Sequence, residues 1–262
     1  MIFGLNREDM RTVVNLFKFQ IRDRYMGSRI GRLWAVLNPL MMFCIYIFVF
    51  GFVFQSKIPG SEKSLSYVIW LISGYAPWLA ISEAMISAAS SVISGSTLVK
   101  NIAFKTELLP ISLTLLGILP MGVGFAILLP LLLIEGTGLS VNILWLILIV
   151  PLQMFFLAGI GFFLGALAVF IRDITQMLAS ILMLLLFFTP VFYPVEAMPW
   201  IIQRVNFLNP FYHIVNAFRK VLIWKASPDI LSIFYIFMLG LALWIFGLKF
   251  FRKVKGYFQS CL

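Results

Sequence analysis

The chain has 262 residues, 62% of them hydrophobic and only 11% charged. Water-soluble domains carry about a quarter charged residues, which excludes a soluble fold. The apolar runs are twice the ~10-residue length of β-barrel segments and do not alternate, so the composition describes an all-α membrane protein. The formal net charge of +10 reads as basic residues gathered on one side of a membrane, and not as a nucleic-acid surface. Of the two cysteines, Cys44 falls in an apolar run and Cys261 is penultimate, so no disulfide framework is expected. The first 33 residues are polar and charged and show no cleavable signal pattern, so the first membrane helix is expected to direct insertion.

At the start, Met10, Val13, Val14, Phe17 and Ile21 recur at helical spacing, with Arg11, Asn15, Lys18 and Arg22 opposite. This predicts an amphipathic helix lying in the membrane interface, with Phe19 as the one break in the stripe. Arg22, Arg24, Arg29 and Arg32 then crowd against Trp34, and from there the chain is apolar to Phe54. Arginine is costly in hydrocarbon and favoured beside anionic headgroups, while tryptophan suits the boundary. The stretch therefore marks a first crossing, about Trp34 to Phe54, with its arginines on the cytoplasmic side.

A polar outer turn is expected from Gln55 to Ser64, then a second span from about Tyr67 to Ile93, interrupted at Ala76-Pro77-Trp78 and carrying Glu83. Ser94 to Glu107 returns to the cytoplasm, and a third span, Leu108 to Ile134, carries Pro110, Pro120 and Pro130 as expected kinks. The turn at Glu135 leads to a fourth span, Ile143 to Phe170, in which Gly161 and Gly165 form a G-x-x-x-G suited to close helix approach. Arg172-Asp173 is a tight turn before a fifth span, Ile174 to Phe192. From Tyr193 to Asp229 four prolines divide apolar pieces too short to cross, which predicts re-entrant half-helices on the outer side. A sixth span, Ile230 to Phe251, ends in a basic tail.

The chain is thus one membrane domain over 1–262: an interface segment 1–33, spans one to five within 34–193, outer helices 194–229, span six at 230–251 and a tail 252–262. Six crossings place both termini in the cytoplasm. Fourteen of the 20 Lys and Arg then fall inside, as positive-inside bias requires. No internal repeat is visible, which counts against an inverted-repeat secondary transporter.

No enzyme constellation is present. His213 is the sole histidine, so a His-based metal cluster is excluded and a structural hydrogen-bonding role is expected. The chain lacks any Gly-Lys dipeptide and hence a Walker-type phosphate loop. Glu83, the one acid well inside a span, either lines a cavity or pairs with a base, or lies near enough to a boundary to reach water. Phe43, Tyr46, Phe50 and Phe54 can share one face of the first helix, while Phe187, Phe188, Phe192 and Tyr193 crowd the outer end of the fifth.

The run Arg24-Tyr-Met-Gly-Ser-Arg-Ile-Gly-Arg-Leu-Trp-Ala-Val-Leu-Asn-Pro resembles the opening of the membrane subunits of ABC transporters that export bacterial polysaccharides. Phe104-Lys-Thr-Glu-Leu-Leu-Pro, Phe170-Ile-Arg-Asp-Ile, Thr189-Pro-Val-Phe-Tyr-Pro and Leu208-Asn-Pro-Phe-Tyr-His with Arg219 agree with it in order, across residues 10–225. The resemblance implies a homodimer with two separate ATPase subunits that bind ATP and Mg, leaving no cofactor on this chain. It implies a bacterial inner-membrane location and a lipid-linked polysaccharide cargo: O-antigen first, with capsule and teichoic acid as alternatives. It assigns Val99 to Glu107, including Asn101, Phe104, Lys105 and Glu107, as the cytoplasmic helix that couples to the ATPase. The region of Asn209, Pro210, His213 and Arg219 becomes an outer gate. The two aromatic groups become the wall of a sugar path between subunits, and the four arginines become candidates for holding a pyrophosphate headgroup. Within the same superfamily, a small lipid or drug is the competing cargo. An ion-coupled transporter or channel would want several intramembrane acids or a repeat, and only Glu83 is available; a membrane glycosyltransferase lacks a carboxylate cluster.

Overall fold

The computed structural model describes residues 6–27, 29–54, 64–100, 104–136, 138 and 140–262, without the side chains of Arg32 and Ser64. Among these residues the chain forms helices and their connections and no strand. Five helices are long and apolar enough to cross a membrane. The expected outer turn at Gln55 falls outside the described residues as far as position 63, and Asn101 lies outside them too.

The first helix, α1 (Arg7–Arg24), opens with Asp9 accepting the backbone N–H of Asn6 at 2.9 Å, which satisfies a donor that a helix start leaves free. Its inner side is Val13 and half-buried Leu16, while Met10 and Val14 of the apolar stripe stay exposed. Gly27 and Gly31 follow with φ of +83° and +57°, a left-handed backbone that glycine adopts without steric cost. They carry the chain into α2 (Trp34–Tyr46), which continues as a π-helix over Ile47–Val53.

The bundle is built on α3 (Ser64–Ser94). Of its most apolar stretch 72% is buried, against 11% of that of α2. Ala76, Ala80, Ala84 and Ala88 repeat every fourth residue, so they form one smooth stripe, all fully buried. Against this stripe, α4 (Leu108–Ile134) sets Gly124 over Ala76 and Gly117 over the Ala80 carbonyl. From α5 (Leu146–Phe170), Gly161 meets Ala88, and Gly165 meets Ser91 and the Ala88 carbonyl. The G-x-x-x-G read in the sequence therefore packs inside the protomer. A 3₁₀ turn, Leu115–Gly117, interrupts α4 at the Leu116 carbonyl that Pro120 leaves without a donor.

The remaining elements are α6 (Ile174–Phe188), α7 (Trp200–Asn206), α8 (Pro210–Leu222) and α9 (Ile230–Val254). Helix α9 lies along α5, with Gly159 beneath Leu243 and Trp244. Helix α6 is shorter than the Ile174 to Phe192 span expected. Its fifteen residues cover ~22 Å of the ~30 Å hydrocarbon layer. The cause is Pro190, which disfavours helix at the residue before it; Thr189 is extended, at φ −83° and ψ 131°.

At the α1 end of the bundle, ion pairs join elements far apart in sequence. Lys105 reaches Asp9 on α1 at 2.8 Å, and Glu107 takes Arg252 at 3.1 Å and Lys255 at 3.5 Å from the last helix and its extension. Among the described residues of this connection the helix is the single turn Ser96–Val99, and Phe104 to Glu107 lie outside any helix, contrary to a coupling helix running through Glu107. The backbone N–H of Asn6 and the Lys105 ammonium hold the Asp9 carboxyl below its ordinary range. Burial opposes the charge on Glu107, but its own backbone N–H, Lys255 and Arg252 together outweigh that and leave it lowered as well.

Replacing Gly165 with Val places a branched side chain where even a Cβ would stand 3.0 Å from the Ala88 carbonyl. We expect a loss of about 1–3 kcal/mol, read as a lower melting temperature in nanodiscs, with Gly122→Ala, which meets nothing within 4 Å, as the silent control. Because both carboxyls are lowered on folding, their contribution is complete above the ordinary carboxylate range of about 4 and disappears as pH falls through the folded values. Melting temperature should therefore fall steeply below about pH 4, and less steeply in Asp9→Asn/Glu107→Gln.

Candidate functional site

A cavity of about 300 Å³ opens between α2, α3, α4 and α6, with Arg24 and Tyr25 from the end of α1 in its lining. Its polar lining is Arg24, Glu83, Ser82 and Asn38, all at least partly exposed. Pro39, Tyr75, Trp78, Leu116 and Leu186 of the same lining are buried, and Tyr46 is half-buried. Arg24 donates from both terminal nitrogens to Glu83: Nη1 to Oε1, and Nη2 to Oε2 at 3.3 Å. Ser87, one turn further along α3, donates to the same carboxylate at 2.6 Å.

Glu83 is thus paired with a base and also borders a cavity. Position explains how both hold. Thirty-one residues make α3 ~46 Å long, more than ~30 Å of hydrocarbon needs. Glu83 stands eleven residues before the final Ser94, ~16 Å from that end, so an arginine at the interface reaches it. Of the four arginines considered together, only Arg24 is placed at this cavity; Arg22 and Arg29 are exposed, and the Arg32 side chain is outside the description.

Above the cavity the two aromatic groups meet. Phe192 stacks on Tyr46 at 4.6 Å and on Phe50 at 4.8 Å between ring centroids, and also touches Tyr75 and Phe187. Phe50 continues to Phe54 at 5.7 Å. The cluster is fixed by Tyr67, which donates to the Phe192 carbonyl at 2.9 Å, and by Tyr193, which donates to the Phe187 carbonyl. Its members differ in access. Phe43 and Phe192 are 1% and 2% exposed and belong to the protomer core, Phe43 lying edge-on to Tyr75. Tyr46, Phe50, Phe188 and Tyr193 are half-buried, and Phe54 and Phe187 are open.

At the other end of the bundle, α8 starts at Asn209, whose side chain accepts the Phe211 N–H at 3.0 Å, with Pro210 in the first turn, where its missing N–H costs nothing. His213 bridges Ser232 at 2.9 Å and the Phe207 carbonyl at 2.8 Å, tying α8 to α9 and the α7 end. Arg219, assigned with Asn209, Pro210 and His213 to the outer region, is buried at 4% exposure. It donates to the Pro190 carbonyl at 2.7 Å and to the Val191 carbonyl, and lies 3.9 Å over the Trp70 ring with Gly74 giving it room. It therefore secures the segment that carries Phe192. The sequence held a signal for this, since Arg219 falls at helical spacing between Val215 and Leu222, both buried. Tyr75, Trp78 and Asn38, missed in the sequence, become visible only when the helices are assembled.

Comparison with known proteins follows the same pattern along most of the chain. It is 28% identical to an O-antigen export system permease protein of Klebsiella pneumoniae over 244 residues, covering 92% of this chain and 91% of that one. A protein of that description from Myxococcus xanthus is 25% identical, over 83% and 82% of the two chains. A polysialic acid transport protein of Escherichia coli is 24% identical, over 92% of each. The family description that matches residues 12–223 takes in the interface helix, the cavity, the aromatic cluster and α8, and this chain belongs to the ABC-2 type transporter family.

Proposed function

We propose that this chain is the membrane subunit of an ATP-driven exporter that moves lipid-linked polysaccharide, O-antigen in first place, out across a bacterial inner membrane. The observation that carries this is similarity along nearly the full length to permeases named for O-antigen export and to proteins named for polysialic acid transport. These relatives share a polysaccharide cargo while differing in which polysaccharide, so capsular polymer remains the second reading.

In this account six helices cross, α2, α3, α4, α5, α6 and α9, with both termini cytoplasmic. Helices α7 and α8 dip into the outer leaflet without crossing; the bundle covers one side of α8, while α7 leaves Trp200, Ile201 and Val205 open. Two copies pair so that the exposed faces of α2 and α6, with Ile45, Phe48, Ile181 and Leu184 uncovered, border a passage. Tyr46, Phe50, Phe54, Phe187, Phe188 and Tyr193 supply rings along which sugars slide without their sequence being read. Phe43 and Phe192 support those rings from behind.

ATP and Mg are bound by two partner ATPase subunits. These push on the connection around Lys105 and Glu107, and the ion pairs to Asp9, Arg252 and Lys255 pass the push to α1 and α9 as a rigid-body rocking. Arg24, in the cavity lining, meets the anionic junction between lipid and glycan.

The test is ATP-dependent export in membrane vesicles loaded with lipid-linked polymer. Phe50→Ala with Phe187→Ala should slow export by about tenfold, from two ring contacts of about 0.5–1.5 kcal/mol each, with the protein's abundance unchanged. Unaltered flux would remove the rings from the path.

A further inference from the structure

The Arg24–Glu83 pair lines the cavity. Arg24 presents two nitrogens to two carboxylate oxygens, and that fork fits two oxygens of a phosphate equally well. Both side chains are partly open, 42% for Arg24 and 23% for Glu83, so the pair is weakly held and its partners can be exchanged without stranding a charge in hydrocarbon. Glu83 also has a second partner of its own. Ser87 on the same helix donates at 2.6 Å, so the carboxylate stays hydrogen-bonded after Arg24 leaves it. The same cavity is otherwise lined mostly by apolar groups: Met42, Leu79, Leu116, Leu119 and Leu186, with the rings of Tyr75 and Trp78.

A mostly apolar cavity with one arginine in its lining fits an amphiphile with a phosphate head and a hydrocarbon body. We propose that Glu83 is a placeholder for that phosphate: it occupies Arg24 in the empty protein and retains only its Ser87 hydrogen bond when the phosphate or diphosphate of an apolar-tailed ligand takes the guanidinium, with the tail in the cavity. Glu83 is then a specificity residue. A neutral amphiphile cannot break the pair, and a singly charged one gains little over the carboxylate it replaces, whereas a diphosphate brings more charge and more acceptor oxygens. The inference rests on the export reading for the identity of the natural ligand, while its test needs no export.

Binding is measured on the full chain in lipid nanodiscs, together with any ATPase subunits that co-purify, using three probes: farnesyl diphosphate, farnesol and inorganic pyrophosphate. Glu83→Gln frees Arg24 and should tighten farnesyl diphosphate binding by about fivefold, the equivalent of losing one competing half-exposed ion pair. Arg24→Gln should weaken it by about tenfold or more. Ser87→Ala, which keeps both charges and removes the carboxylate's fallback, should shift affinity the other way from Glu83→Gln. Farnesol binding should be the same in all variants and reports that the cavity is intact. The placeholder role is overturned if Glu83→Gln leaves farnesyl diphosphate affinity unchanged or lowers it while farnesol still binds. Pyrophosphate binding as tightly as farnesyl diphosphate would overturn the cavity as the seat of the tail. Absence of ATP-dependent export by the unsubstituted chain, with these binding shifts intact, would instead strike the export reading alone.

Discussion

Close approach of small residues along α3 is the constraint from which the rest of the molecule follows. In a membrane, lipid tails compete on equal terms with leucine, so helices gain from contact only where their backbones come near enough to pack tightly. Ala76, Ala80, Ala84 and Ala88 supply that surface, and Gly117, Gly124, Gly161 and Gly165 from two neighbours fill it. With α4 and α5 taking the small-residue stripe, α2 and α6 are left at the margin with large apolar side chains uncovered. The cavity lies along that margin, between the buried axis and its loosely held flank.

The two ends of the bundle are fastened by different chemistry. At one end, charged pairs link α1, the connection before α4 and the end of α9. They are partly open to water and can transmit a displacement without unfolding anything. At the other, a buried guanidinium clasps two carbonyls beside proline, and one aromatic ring rests against it. Removing that arginine would leave buried carbonyls without donors, as removing the basic partners at the first end would leave the buried Asp9 and Glu107 carboxylates unpaired.

Much of this was legible from residue types alone. Apolar run lengths marked the long helices, and the spacing of Gly161 and Gly165 pointed to a close contact that the fold supplies inside the chain. Lone His213 was readable as a structural hydrogen-bonder, as its bonds to Ser232 and the Phe207 carbonyl show. What escaped depends on contacts between distant segments. Nothing local tells that Arg24 and Glu83, fifty-nine positions apart, will meet, nor that Phe192 will lie against Tyr46. The early end of α6 could have been read, because Pro190 argues against helix at Thr189, but the apolar run through Phe192 masked it. The contacts of Arg219 with the Pro190 and Val191 carbonyls, twenty-nine and twenty-eight positions away, are likewise invisible in the local sequence.

The central claim is that this protein carries a lipid-linked glycan outward, and the most direct measurement is where that polymer resides when the coding sequence is deleted. Lipid-linked polymer should accumulate on the cytoplasmic face and vanish from the cell surface, and restoring the intact chain should reverse both. Surface polymer at its normal level, with none retained inside, would contradict the account.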